Sequence, residues 1–187
     1  MLQITKSKDA KVAKAFAHKI ADIPGGVTIS TAELGGSAIK AGTPLSAPDA
    51  NGLVHVVKTA VVVTAATATD TNIEVAKGSH FKIGDFIGNG SKGGEISAID
   101  KTDPSKDVIT VKATLGVALK KGDGLFQSSA VGGTTVKHHA KAVAGENYTI
   151  EGGNQFNSAW VIAVVYGSNV PALPDAVLND LKGVHVI

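Results

Sequence analysis

The chain has 187 residues, enough for one ordinary domain or two small β modules, and a formal net charge of +2. All 18 basic residues are lysine and they are interspersed with Asp and Glu, so the forked guanidinium contacts and basic stripe of a nucleic-acid reader are missing and that class is set aside. No Cys is present, which removes disulfides, thiolate metal sites and Cys nucleophiles and fits folding in a reducing compartment.

Apolar residues make up 43% of the chain and are carried by Ala, Val and Ile, with one Trp and 22 Gly. Small β-branched side chains fit pleated, half-buried surfaces, and many short strands need turn residues that accept positive φ. The expected fold class is therefore mainly β, as small β-barrel or β-sandwich modules with an N-terminal helix and a short C-terminal helix. The expected segments are a helical arm over 1–24, a β segment over 25–58, a barrel-like module over 59–130 and a C-terminal β segment over 131–187.

The arm is expected to be helical from Thr5 to Ala21, because Val12, Phe16 and Ile20 recur at i, i+4 and i+8 and Pro24-Gly25-Gly26 ends the run. Its apolar stripe is narrow, so it must dock, either on its own domain or on a neighbouring subunit. Lysines interrupt Met1–Ile20, so no secretory leader is expected there. Short strands follow at Val27–Ile29, Ser37–Ile39 and Leu53–Lys58, the last entered through the tight-turn pair Asn51-Gly52.

The middle has the clearest pattern. Asn72–Ala76 alternates as a strand, and Glu95–Ile99 with Val108–Ala113 reads as a hairpin whose turn holds Pro104. Gly88–Gly94 reads as a mobile loop. Two phrases, Phe81–Ile87 and Leu119–Leu125, share a Lys-x-Gly-Asp or Lys-Gly-Asp core between apolar residues, taken as local turn chemistry. In the last part Trp160–Tyr166 reads as a strand, and the apolar run Ala159–Tyr166 is far short of the ~20 residues of a membrane-spanning helix. A short helix over Asp175–Leu181 and a terminal strand, Val184–Ile187, complete the chain, the strand needing a partner in cis or in trans.

Site chemistry is sparse in the sequence. His138 and His139 face opposite sides of a strand, so a zinc site would need a distant third ligand such as His80 or Glu95, and the simpler reading of solvated strand-end histidines is retained. Asp100, Asp103 and Asp107 surround a turn without the spacing of a calcium loop. The Gly-Gly pairs lack a phosphate-loop frame, and no Gly-x-Ser-x-Gly elbow occurs. No catalytic residue, metal or cofactor is assigned, and an enzyme is not expected. The candidate partner-contact residues are Val12, Phe16 and Ile20 in the arm, the aromatics Trp160 and Tyr166, and the terminal Val186 and Ile187.

Three stretches carry a family resemblance: Ile39–Leu45 with Val54–Lys58, Ile73–Ile87, and Val170–Pro174 continuing to Leu181–Ile187. Together they cover about half the chain. In them the chain resembles the head-decoration and head-fibre proteins of tailed bacteriophages, including those infecting gut Bacteroidetes. The resemblance implies an auxiliary capsid protein on the outside of the virion shell, assembled in the host bacterial cytoplasm. Its implied partners are the major capsid protein and further copies of itself, a trimer being favoured, with no nucleic acid or membrane and with a host-surface glycan as a further ligand. The competing readings are a carbohydrate-binding or adhesive β module, another phage structural part such as tail or baseplate, and, lower, a hydrolase.

Overall fold

The structure, a computed structural model, describes residues 13–187. It is mainly β. Strands β1 (Phe16–Asp22), β2 (Val27–Ile29), β3 (Ala38–Ile39), β4 (Pro44–Ser46) and β5 (Leu53–Val54) lie in the first part of the chain. Strands β6 (Thr59–Val61), β7 (Asn72–Ala76), β8 (Phe86–Gly88), β9 (Gly93–Asp100), β10 (Lys106–Val111) and β11 (Gly124–Ser128) follow. The last part holds β12 (Ala140–Ala144), β13 (Tyr148–Thr149), β14 (Gln155–Asn157), β15 (Ala159–Val165), the single-turn helix α1 (Asp175–Leu178) and β16 (Val184–Val186).

The first and last parts pair with each other in nested antiparallel order. β1 runs against β15, β2 against β14, β3 against β13 and β4 against β12. These two half-chains therefore build one body between them. Its core is a cluster around Ile29, Ile39, Leu45, Val54 and Ala159 and a second around Val143, Val165, Val177 and Leu181.

Everything from β6 to β11 forms a separate six-stranded sheet, in the order β6-β11-β8-β9-β10-β7, inserted between the half-chains. Ile73, Val75, Phe81, Ile87, Ile96, Ile109 and Leu125 are buried inside its curl. Each such side chain contributes about 1.5–3 kcal/mol by leaving water. The end strands approach through one bridge, Val62 to Val75, with the Val63 N–H donating to the Glu74 carbonyl at 3.0 Å. That is not a ladder. β6 is only three residues long and the chain leaves for the 64–71 loop, so this sheet stays open, and none of the four sheets among the described residues closes into the expected barrel.

The N-terminal helix is also corrected. Residues 16–21 of the expected helix lie in strand β1, hydrogen-bonded along β15, while residues 1–12, Val12 included, lie outside the described residues. Phe16 and Ile20 stand four apart, a spacing that fits a helical stripe and a period-two strand equally. The free edge of β15 decides between them, and helix propensity is a weak prior against such tertiary pairing. The C-terminal expectations hold in shorter form, as α1 and as β16, which pairs in parallel with β15. The Gly88–Gly94 loop is a tight hairpin turn, held by the Asn89 carboxamide oxygen accepting from the Ser91 and Lys92 N–H groups.

The Lys-x-Gly-Asp phrases are the same turn used twice. In each, the Asp Oδ2 accepts the Lys N–H at 2.8 Å, as Asp85 does from Lys82 and Asp123 from Lys120. The Gly sits at positive φ, 90° at Gly84 and 96° at Gly122, where a side chain would be strained. Each turn re-enters the sheet, as β8 and as β11.

Candidate interaction surface

Four of the seven contact candidates are exposed on the outer sheet of the body: Ile20 on β1, Tyr166 just past β15, and Val186 with Ile187 at the end of the chain. Phe16 and Trp160 are half-buried and pack against the second body core. The structure brings these residues onto one sheet because β15 pairs with β1 on one side and with β12 and then β16 on the other.

That arrangement leaves a gap. β12 reaches β15 only at Ala159 and Trp160, and β16 only at Ala163 to Val165. Val161 and Ile162 lie between those two ladders and stay 39% and 38% exposed, although they occupy the middle of an apolar strand. These two residues were missed by sequence reading. The available signal was that Trp160–Tyr166 is apolar at every position, a pattern that normally means burial on both faces. Here one face is buried at Ala159, Ala163 and Val165, and the consecutive Val161 and Ile162, which point to opposite faces, are both exposed.

Among the described residues β1 is the edge of this sheet, and residues 17–20 are all exposed. Its attachment is mainly backbone pairing, irregular in register, reinforced by Lys19. The Lys19 ammonium lies 4.7 Å from the Phe16 ring centre and 5.0 Å from the Trp160 ring centre, within cation–π range of both, and donates to the Gly145 carbonyl at 3.4 Å. An edge strand exposed on both faces presents unpaired N–H and C=O groups beside apolar side chains, which is a template for another chain.

The other sequence candidates are placed as follows. Asp100 and Asp103 cap their own turn, accepting from Thr102 and Ser105, and these hydrogen bonds hold both carboxyls below the usual carboxylate range. Asp107 is fully buried and accepts from the Gly78 and Ser79 N–H groups, with the Lys77 ammonium 3.0 Å away. His138 and His139 precede β12 instead of lying in a strand: His139 is exposed with Nδ1 2.9 Å from Asp180, while His138, whose Nε2 is buried and so is not solvated as expected, groups with His55 and Glu33 and not with His80 or Glu95. His80 is buried, 8% exposed, and its imidazole is pushed down to about 4 by burial and by the nearby Lys58, Lys101 and Lys40 charges.

Comparison with protein-family models, curated proteins and solved structures returns no match for this chain.

Proposed function

We propose that the chain is a structural subunit of a tailed-phage head, an auxiliary protein that seats on the outer face of the major capsid shell as a homo-oligomer, a trimer being the favoured form, and has no catalytic role. The observation that carries the proposal is the sheet edge that β1 leaves open among the described residues. β1 is exposed on both faces, Ile162 and Tyr166 add apolar surface on and just past its partner strand β15, and Val186 and Ile187 add more across β15 from it. Contiguous exposed apolar surface at an unpaired strand edge is what a subunit interface needs, and many copies on a repetitive shell turn weak contacts into firm attachment.

Lys19 lies over the Trp160 ring, so a glycan reading would rest instead on Tyr166 and on Phe156, which is 57% exposed. Tyr166 belongs to both surfaces, so Phe156 is the residue that separates a glycan reading from the shell reading.

The test is the native mass of the purified protein, followed by co-sedimentation with assembled heads of the phage that carries it. A multimer that sediments with heads and saturates at a fixed ratio to the shell protein is expected. A monomer that stays in the supernatant at all ratios overturns the proposal.

A further inference from the structure

The inserted sheet joins the body through two chain crossings, one at Lys58 leading into β6 and one at Gln127 at the end of β11. The crossings hydrogen-bond directly, Gln127 N–H to the Lys58 carbonyl at 2.9 Å. Lys58, only 1% exposed, spans the neck: its ammonium donates to the Glu33 carbonyl at 2.7 Å and to Asp85 Oδ2 at 2.8 Å, and the Gln127 amide donates to Asp85 Oδ1 at 2.7 Å. Beside this network three side chains from three separate segments converge. Glu33 comes from the β2–β3 connection, His55 follows β5, and His138 precedes β12.

We propose that Glu33, His55 and His138 bind one divalent transition-metal ion of the zinc class at the neck, tying the body segments together next to the inserted sheet. One ligand atom from each residue lies within 4.8 Å of the others. The set is two imidazoles and a carboxylate, the donors that borderline ions such as Zn²⁺ prefer over the all-oxygen sets of Mg²⁺ and Ca²⁺. Three protein ligands leave a coordination position for water.

Three details of geometry point to an ion. His55 Nδ1 is 2.6 Å from Glu33 Oε1, and its other nitrogen, Nε2, is 3.4 Å from Asp49 Oδ2. A carboxylate beside the far nitrogen is the usual outer-shell support of a metal-bound imidazole, and the 2.6 Å contact to Glu33 holds a proton that an arriving ion displaces. His138 Nε2 is buried, has no hydrogen-bond partner among the described residues, and lies 3.9 Å from Glu33 Oε2. That separation is too long for a hydrogen bond and leaves room for an ion between the two atoms. A buried, unpartnered ring nitrogen is costly, and coordination satisfies it.

The two rings stack, with centres 4.6 Å apart and planes within 5°. A metal ion lies near the plane of each imidazole that binds it, and parallel planes do not meet. Binding therefore turns at least one ring out of the stack. Both rings are about one-fifth exposed, so they have room to turn. On binding, any proton shared by His55 and Glu33 leaves to solvent. The neighbouring cations are Lys58, already paired with Asp85, and Lys137.

Isothermal titration of Zn²⁺ into the full chain, first dialysed against chelator and held at pH 7.5, tests this. One ion per chain is expected. His138→Gln and Glu33→Gln should each weaken uptake at least ~10-fold, Asp49→Asn should weaken it by roughly 10- to 100-fold as outer-shell changes do, and His139→Gln should leave it unchanged. Thermal melts without metal show that each variant is folded, and Zn²⁺ should raise the melting temperature of the wild type but not of His138→Gln. No stoichiometric uptake by the wild type, or uptake that survives His138→Gln, overturns the proposal.

Discussion

His80 makes a sharp test of how the neck is packed. Its ring is 8% exposed, its Nδ1 has no partner, and a pKa of about 4 in place of the ordinary 6.5 means that it stays neutral where an unfolded chain would protonate it. The folded value is depressed, so the stabilisation is complete above pH 6.5 and is lost as pH falls from 6.5 towards 4. Each pH unit in that window costs about 1.4 kcal/mol, which between pH 7 and pH 5 amounts to about 2 kcal/mol from this one group. Exposed carboxylates change little over that interval, because most of their titration lies lower. His138, whose imidazole burial also pushes down, adds in the same direction. Urea unfolding of the wild type and of His80→Gln at pH 7 and pH 5 isolates the term, because background titrations cancel in the double difference. The wild type should lose about 2 kcal/mol more than the variant on acidification. Equal losses in the two proteins would refute the buried neutral imidazole.

Other perturbations follow from the same contacts. Lys58→Met leaves Asp85 without its cation and should cost about 3–5 kcal/mol in denaturant unfolding, with part recovered in Lys58→Met/Asp85→Asn; no loss would mean that the pair is solvated. Gly93→Ala places a methyl 2.4 Å from the Gly133 Cα and 2.6 Å from the Ile87 carbonyl oxygen, whereas Gly132→Ala meets nothing within 4 Å. The first should cost about 1–3 kcal/mol or more and the second nearly nothing, and equal effects would contradict the close backbone approach. Ile162→Lys and Val186→Lys should change stability by no more than about 0.5 kcal/mol while abolishing multimer formation or head binding; retained assembly would remove these side chains from the interface.

How far the sequence carried depends on which contacts decide each element. The strand Asn72–Ala76 and the hairpin of β9 and β10 were legible because alternation and a Pro-containing turn are local properties. The Lys-x-Gly-Asp turns were legible for the same reason. β1 was not, because Phe16 and Ile20 fit two periods and the choice rests with β15, about 140 residues away along the chain by register. Barrel closure was equally hidden, since it turns on the length of β6 and the exit of the chain at Val63. In the outer sheet, Tyr166, Val186 and Ile187 could be named from position and residue type. Val161 and Ile162 could not, because their exposure comes from the gap between two neighbouring strands. The Glu33, His55 and His138 group was invisible for a like reason: its members are spread over more than a hundred residues and meet only because the half-chains nest.

The most direct test of the interface is amide hydrogen exchange of the protein alone and bound to assembled heads. New protection in residues 16–22 and 184–187, with the inserted sheet unchanged, is the result the open edge of β1 predicts. Protection confined to the inserted sheet, with residues 16–22 exchanging as in the free protein, would contradict it.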